Sequence, residues 1–211
     1  MKTKAGSGSC RCAQVVFVLV FTLAIIPQNV ESKVKAGLMT KKYEKPGDNI
    51  PRETATLAGG CFWGVEELIR QLPGVIETTV GYTGGLLANP TYEDITTGRT
   101  GHAESVQIVY DASKVSYEDI LRYFFRLHDP TTQNRQGNDR GTQYRSAIFY
   151  HDEQQKEIAL KVKAEVDQSG KWKDPVVTDI VAATTFYPAE AYHQDYLKKN
   201  PNGYTCHHLR D

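Results

Sequence analysis

Thr54-Ala55-Thr56-Leu57-Ala58-Gly59-Gly60-Cys61-Phe62-Trp63-Gly64-Val65 decides how this chain folds, because it passes from a short apolar run through two glycines into helical spacing. Residues 54–58 read as a buried strand, and Val65, Leu68, Ile69 and Leu72 recur on one helical face. Cys61 therefore stands at a helix start beside two large aromatic side chains. Unpaired backbone N–H groups and the positive end of the helix dipole favour a thiolate there, and such sites lower thiol pKa values from ~8.5 to roughly 3.5–7.5. The flanking glycines let a substrate approach closely. The segment reads either as a reactive thiol with an apolar reception site or as a structural cysteine in an aromatic core.

Outward from this stretch, strand and helix signals alternate. Pro73-Gly74 leads into a strand at 75–82 rich in β-branched residues, which completes a β-α-β unit. A Gly- and Pro-rich loop at 83–102 is too long for a simple turn. A strand follows at 104–110, and Ser116 with Asp119 forms a capping box for a helix that buries Ile120, Phe124 and Leu127. A polar loop at 128–143 returns to a strand at 145–150. The order β-α-β-β-α-β is the split pattern of ferredoxin-like two-layer α+β sandwiches. Beyond it, Asp152 caps a helix to about Gln168 with Ile158, Val162 and Val166 on one face, Pro175 starts a strand to Ala183, and Pro188 opens a last helix. Asn200-Pro201-Asn202-Gly203 stops that helix. Cys206 is left on a short coiled tail, free to carry its thiol to a distant partner.

The 211 residues, 40% hydrophobic and 24% charged, suit one globular domain with a sizeable core. Lys2, Lys4 and Arg11 precede an apolar run at 15–26, and no acidic residue appears before Glu31. That is the layout of a secretory signal peptide over 1–32, followed by an N-terminal extension at 33–53 and a globular domain at 54–211. The run is shorter than the ~20 residues of a comfortable membrane span, and an uncleaved signal anchor is the alternative. Periplasm, secretory pathway and extracellular space all fit export. Cleavage removes Lys2, Lys4, Arg11 and Glu31, so 25 basic and 25 acidic residues become 22 and 24. Near neutrality removes the electrostatic argument for nucleic acid. Cys10 and Cys12 leave with the leader, and Cys61 and Cys206 remain as either a static disulfide or a redox-cycling pair.

A nucleophilic thiolate needs an acid to protonate what leaves and a means of resetting the cysteine. Glu104, in Gly101-His102-Ala103-Glu104, begins a strand directly after the Gly-rich loop. Shielded by aromatic rings it stays protonated near neutral pH and donates a proton; on an exposed strand edge it is only a surface charge. Tyr82, Tyr92 and Tyr144 offer uncharged donors for a substrate oxygen, or simply pack their rings. Asp139 caps backbone N–H groups and holds Tyr144 in place, or makes an ordinary Asx turn. His207 and His208 follow Cys206, yet with Cys61, His102, His128, His151 and His193 they show no metal-ligand spacing, and no metal is expected.

Five motifs in order carry a resemblance: Gly-Cys-Phe-Trp-Gly at 60–64, Gly-Tyr-Thr-Gly-Gly at 81–85, Asn-Pro-Thr-Tyr at 89–92, Gly-His-Ala-Glu at 101–104 and Gln-Gly-Asn-Asp-Arg-Gly-Thr-Gln-Tyr-Arg-Ser at 136–146. The chain resembles the A-type peptide methionine sulfoxide reductases over about residues 54–204. The resemblance implies a ferredoxin-like α+β fold and thiol-dependent reduction of the S epimer of methionine sulfoxide, with no bound cofactor and thioredoxin or a thioredoxin-like protein as donor. It makes Cys61 the nucleophile, Phe62 and Trp63 the pocket for the substrate methyl, and Glu104, Tyr92 and Tyr144 the donor wall. Asp139 organises the site, and Tyr204 lies in a Gly-Tyr turn that approaches the pocket. Cys206 becomes the resolving thiol for a Cys61 sulfenic acid, displaced by Thr205 from the position directly after Gly-Tyr that many relatives use.

Two rivals remain at this level. A thiol peroxidase also cycles thiolate, sulfenic acid and disulfide, but peroxide needs no aromatic methyl pocket. An exported binding module would hold Cys61 and Cys206 in a permanent disulfide and dock methionine-containing segments. The expected partners are oxidised proteins, free methionine sulfoxide and a thioredoxin-like reductant, with no nucleic acid and a monomeric state.

Overall fold

The computed structural model describes residues 50–211. The expected leader at 1–32, Cys10 and Cys12, and most of the extension at 33–53 lie outside the described residues. The first strand, β1 (Arg52–Gly59), is followed by α1 (Phe62–Ile69), β2 (Val75–Thr83), a short α2 (Tyr92–Thr96), β3 (Ala103–Asp111) and α3 (Tyr117–Leu127). Next come the two-residue strands β4 (Arg135–Gln136) and β5 (Asp139–Arg140), then β6 (Ser146–Tyr150), α4 (Glu153–Gln168), β7 (Asp179–Ala182), β8 (Tyr187–Pro188) and α5 (Tyr196–Lys199). The main sheet runs β7-β6-β1-β3-β2-β8, with β7 parallel to β6 and the other pairs antiparallel. Its inner order β6-β1-β3-β2 is what the β-α-β-β-α-β pattern requires, so the α+β, ferredoxin-like expectation stands.

Alternation along the strands sorts two faces. Ala55 and Leu57 of β1, Val106 and Ile108 of β3 and Ile148 of β6 join Phe62, Val65 and Ile69 of α1, Ile120, Leu121 and Phe124 of α3 and Val162 of α4 in the main core. Ala58, Ala103, Ala147 and Phe149 form a smaller apolar cluster that Ala183 packs against. Both predicted caps are in place: Ser116 Oγ accepts from Asp119 N while Asp119 accepts from Ser116 N, and Asp152 accepts from Gln155 N. These bonds satisfy helix-start N–H groups that have no partner inside the helix.

Four expectations change. The loop at 83–102 contains α2, started by a Thr91/Asp94 capping box, and the loop at 128–143 contains the β4–β5 hairpin. Residues 175–178 do not enter the sheet, because Val176 N donates to Asp167 Oδ1 and Val177 N to Pro130 O; pairing with β6 begins at Asp179. Pro188 opens no helix. It pairs opposite Gly81 on the outer strand β8, where a residue without an N–H loses nothing, and the helix waits until Tyr196. Asp195, in the left-handed region at φ 53°, is held there by its N–H bond to the buried Glu66 carboxyl at 3.0 Å.

The tail is the fourth. Residues 204–211 have no regular structure, yet they are fastened rather than free. His207 Nε2 lies 2.7 Å from Gly59 O, Arg210 N donates to Arg126 O at 2.9 Å, and Arg126 Nε donates to Arg210 O at 2.8 Å. Gly64 explains the close fit: a Cβ there would stand 2.4 Å from Thr205 Oγ1 and 2.5 Å from His207 Nδ1. The glycine expected to admit a substrate admits the tail instead. Gly64→Ala should therefore destabilise by about 1–3 kcal/mol through overpacking, read as a lower urea midpoint, with faster amide exchange at His207 and Arg210. An unchanged midpoint would mean that the tail yields without cost.

Candidate active site

Cys61 is the N-cap of α1, reached through Gly60 at φ 104°, a conformation that suits glycine. Its thiol opens on a cavity of about 120 Å³ lined by Cys61, Phe62, Trp63, Tyr92, Glu104, Asp139, Tyr144 and Tyr204. The fold assembles these eight at one end of the sheet. β1 ends there at Gly59 as antiparallel β3 and β6 begin, β2 finishes beside β3, and α1, α2 and β5 present their first residues. Tyr144 closes a 3₁₀ turn at Thr142–Tyr144, and Tyr204 comes from the tail.

One wall is aromatic. The buried Phe62 ring lies 5.9 Å from Tyr82 and 5.1 Å from His193. Trp63 stacks on Tyr196 at 3.8 Å, and its indole N–H donates to His193 Nδ1 at 3.0 Å. Accepting through Nδ1 fixes the His193 tautomer, and burial lowers its pKa, so the ring is a neutral prop against which Tyr92 also leans at 4.5 Å. Glu190 completes the scaffold, accepting from Tyr82 OH and from Tyr92 N, both at 2.9 Å. Sequence reasoning missed Glu190, His193 and Tyr196 as supports; they follow Pro188, where a helix was expected, and no local pattern links them to residues about a hundred or more positions away.

The other wall is polar. Glu104 is 2% exposed, and its Oε2 accepts the Phe62 N–H at 3.1 Å. Burial pushes its pKa up to about 8, against the opposing pull of that N–H bond and with a smaller push from Asp139. The carboxyl is therefore a neutral acid at pH 7, with Oε1 left for the proton. Burial, reinforced by Glu104, raises Tyr92 to about 12 and lifts Tyr144 further, so both remain phenols. Among the described residues neither hydroxyl has a hydrogen-bond partner.

Two expectations about the site, one of charge and one of partner, are corrected. Burial, then Glu104, pushes the Cys61 thiol up, and the Trp63 N–H only partly offsets this. The helix start is real, but α1 has eight residues, its first N–H is already taken by Glu104, and desolvation of the sulfur wins. Asp139 does not hold Tyr144. Its Oδ1 accepts from Tyr204 OH at 3.1 Å and its Oδ2 from the Cys206 thiol at 3.4 Å, so it binds the tail. Cys206 is half-buried behind Asp139, and its pKa is pushed up to about 11 by burial and then by that carboxylate. Both cysteines carry free thiols. Among the described residues no group of three or more His, Cys, Asp or Glu side chains is placed to hold a metal ion.

Comparisons with known proteins agree on one family. The model of that family, described as peptide methionine sulfoxide reductase, matches residues 53–211. The peptide methionine sulfoxide reductase MsrA of Mycolicibacterium paratuberculosis is 56% identical over 158 residues, covering 75% of this chain and 90% of that protein. The crystal structure of Mxr1 from Saccharomyces cerevisiae in reduced form superposes with a TM-score of 0.72 at 38% identity, covering 81% of this chain and 98% of the other. The same yeast protein in complex with Trx2 superposes with a TM-score of 0.52 at 28% identity, covering 81% of this chain and 97% of the other.

Glu104 titrates well above its free value, which sets a sign. Its folded pKa of about 8 exceeds 4.5, so its contribution to stability is complete below about 4.5 and is lost as pH rises through about 8. Glu104→Gln should flatten that part of the pH–stability curve and remove a protonated-carboxyl infrared band that persists at pH 7. Absence of the band from the wild-type spectrum at pH 7 would contradict the neutral acid.

Proposed function

This chain belongs to the peptide methionine sulfoxide reductase family, and on that premise we propose that it reduces the S epimer of methionine sulfoxide, in proteins and as the free amino acid, through a Cys61 sulfenic acid and a Cys61–Cys206 disulfide. The enzyme is an oxidoreductase. The observation that carries the finer reading is one small cavity with the Cys61 thiol between the Phe62–Trp63 wall and a wall of neutral donors.

A sulfoxide sulfur carries an oxygen, a methyl, a methylene chain and a lone pair. With the oxygen on Glu104, Tyr92 and Tyr144, the methyl on Phe62 and Trp63 and the chain leading out, one hand alone turns its sulfur toward Cys61. The other hand sets the methyl against buried donors and leaves them unpaired, at about 1–3 kcal/mol for each group. The cavity admits the end of one side chain, which favours methionine sulfoxide on flexible segments.

Glu104 donates its proton to the sulfoxide oxygen as Cys61 Sγ attacks sulfur. The thiol proton returns to Glu104 while the oxygen passes to Cys61 as a sulfenic acid and the sulfide leaves as methionine. Thiol and sulfoxide thus become sulfenic acid and sulfide, with no net proton uptake. The raised values of Cys61 and Glu104 suit this exchange, because both groups wait neutral until a polar oxygen enters. Cys206 then attacks the sulfenic sulfur and water leaves. The yeast Mxr1–Trx2 complex supports a thioredoxin-type dithiol as the donor that reopens the disulfide. The basic-then-apolar order of residues 1–26 supports export, which calls for a donor of that class in the same compartment. A monomer is the working state proposed.

Epimer-resolved turnover by the full chain tests the reading. The S epimer alone should be consumed; Cys61→Ser should abolish this, and Cys206→Ser should keep turnover with a small dithiol but lose it with thioredoxin. Glu104→Gln should slow the first turnover by roughly 10²–10⁴-fold, and the wild-type rate should fall as pH rises through about 8, where the acid form is lost. Equal consumption of both epimers, or faster turnover of peroxide than of sulfoxide, would sink it.

A further inference from the structure

The tail brings one group to the second thiol that the chemistry above does not use. His207 is 7% exposed and its two ring nitrogens have different neighbours. Nε2 lies 2.7 Å from the Gly59 carbonyl oxygen, which can only accept, so Nε2 carries the hydrogen. Nδ1 is then the bare, basic nitrogen, and it lies 3.5 Å from Cys206 Sγ. We propose that His207 is the general base of the resolving step, taking the Cys206 thiol proton through Nδ1 as that sulfur attacks the Cys61 sulfenic acid.

The need for a base follows from the burial of the thiol. With a pKa of about 11, Cys206 is almost wholly protonated at neutral pH and is a poor nucleophile unaided. Two acceptors are within reach, Asp139 Oδ2 at 3.4 Å and His207 Nδ1. A carboxylate is by nature a weaker base than an imidazole, and Asp139 is already engaged by the Tyr204 hydroxyl. Its negative charge serves instead to favour the imidazolium that forms. Burial is the largest influence on His207 and lowers it; the Gly59 bond and Asp139 raise it, while Arg210 and His208 lower it. His128, neutral and buried, is a further titratable neighbour.

The step balances within the chain. The Cys206 S–H bond breaks and its proton passes to Nδ1; the Cys206–Cys61 S–S bond forms as the S–O bond of the sulfenic acid breaks. The departing oxygen takes the proton from the imidazolium and leaves as water. The anchoring carbonyl belongs to Gly59, two residues before the nucleophile, so the bond that sets the tautomer also ties the base to the turn that carries Cys61.

This inference rests on the sulfenic acid and disulfide reading, and the test separates the two. The full chain is mixed with one equivalent of S-methionine sulfoxide and no reductant, and methionine, dimedone-trapped sulfenic acid and free thiol are followed by rapid quench. His207→Gln keeps a donor that reaches Gly59 O but has no basic nitrogen. It should still release about one methionine per chain, but form the disulfide about 100-fold more slowly at pH 7, with trapped sulfenic acid accumulating. Its rate should climb about tenfold per pH unit as Cys206 ionises unaided, more steeply than wild type. Disulfide formation at the wild-type rate overturns the proposal, as does a slower rate whose pH dependence matches wild type. If amide exchange shows the His207→Gln tail undocked, His207→Ala with added imidazole decides: restored disulfide formation supports the base, and no rescue overturns it. A wild-type protein that releases methionine without sulfenic acid or disulfide would instead refute the underlying reading.

Discussion

Two hydrogen bonds clamp the backbone on either side of Cys61. The Phe62 N–H is held by Glu104 from β3, and the Gly59 carbonyl by His207 from the tail. Gly60, between them, takes a left-handed turn, and Gly64 leaves room for the tail to lie against α1. Any residue with a Cβ at 60 would meet Gln136 at 2.5 Å, so the turn is shaped by what crosses it as much as by its own conformation. The polar wall, the docked tail and the placement of Cys206 all depend on this short stretch.

Desolvation dominates the electrostatics of the site. A helix start ordinarily favours an anion, and here one buried sulfur and one buried carboxyl draw on the same few N–H groups. Neither is stabilised enough to ionise at neutral pH: Glu104 sits at about 8 and the Cys61 thiol is raised above its ordinary value. The thiol of Cys61 and the carboxyl of Glu104 thus rest neutral, primed for a polar, uncharged guest. An anionic pair would repel a sulfoxide oxygen; a neutral acid beside a neutral thiol can hydrogen-bond it.

Much of the frame was legible. The strand–glycine–helix run at 54–72, the Ser116/Asp119 and Asp152 caps and the apolar periodicity of α1, α3 and α4 are local signals, and local signals survive folding when the core agrees with them. The misreadings share one cause. Pro188 carries a helix-start signal but is claimed by the outer edge of the sheet, and residues 175–178 have strand composition but bond to Asp167 and Pro130. In both, a specific hydrogen-bonding partner outside the segment outweighed a local preference worth only a fraction of a kcal/mol to about 1 kcal/mol.

By itself the sequence determined the identities of Cys61, Phe62, Trp63, Tyr92, Glu104, Asp139, Tyr144, Tyr204 and Cys206, their ordered motifs and, through those, the family. Only the tertiary structure decided that eight of them face one cavity, that Asp139 holds the tail rather than Tyr144, and that Cys206 is docked rather than free. It alone brought Glu190, His193 and Tyr196 behind the aromatic wall and aimed one nitrogen of His207 at a sulfur. The reason is physical: residue type sets what a group can donate, accept or bury, and is written locally. Burial and proximity set its charge and its partners, and they exist only once segments separated by a hundred residues have packed together.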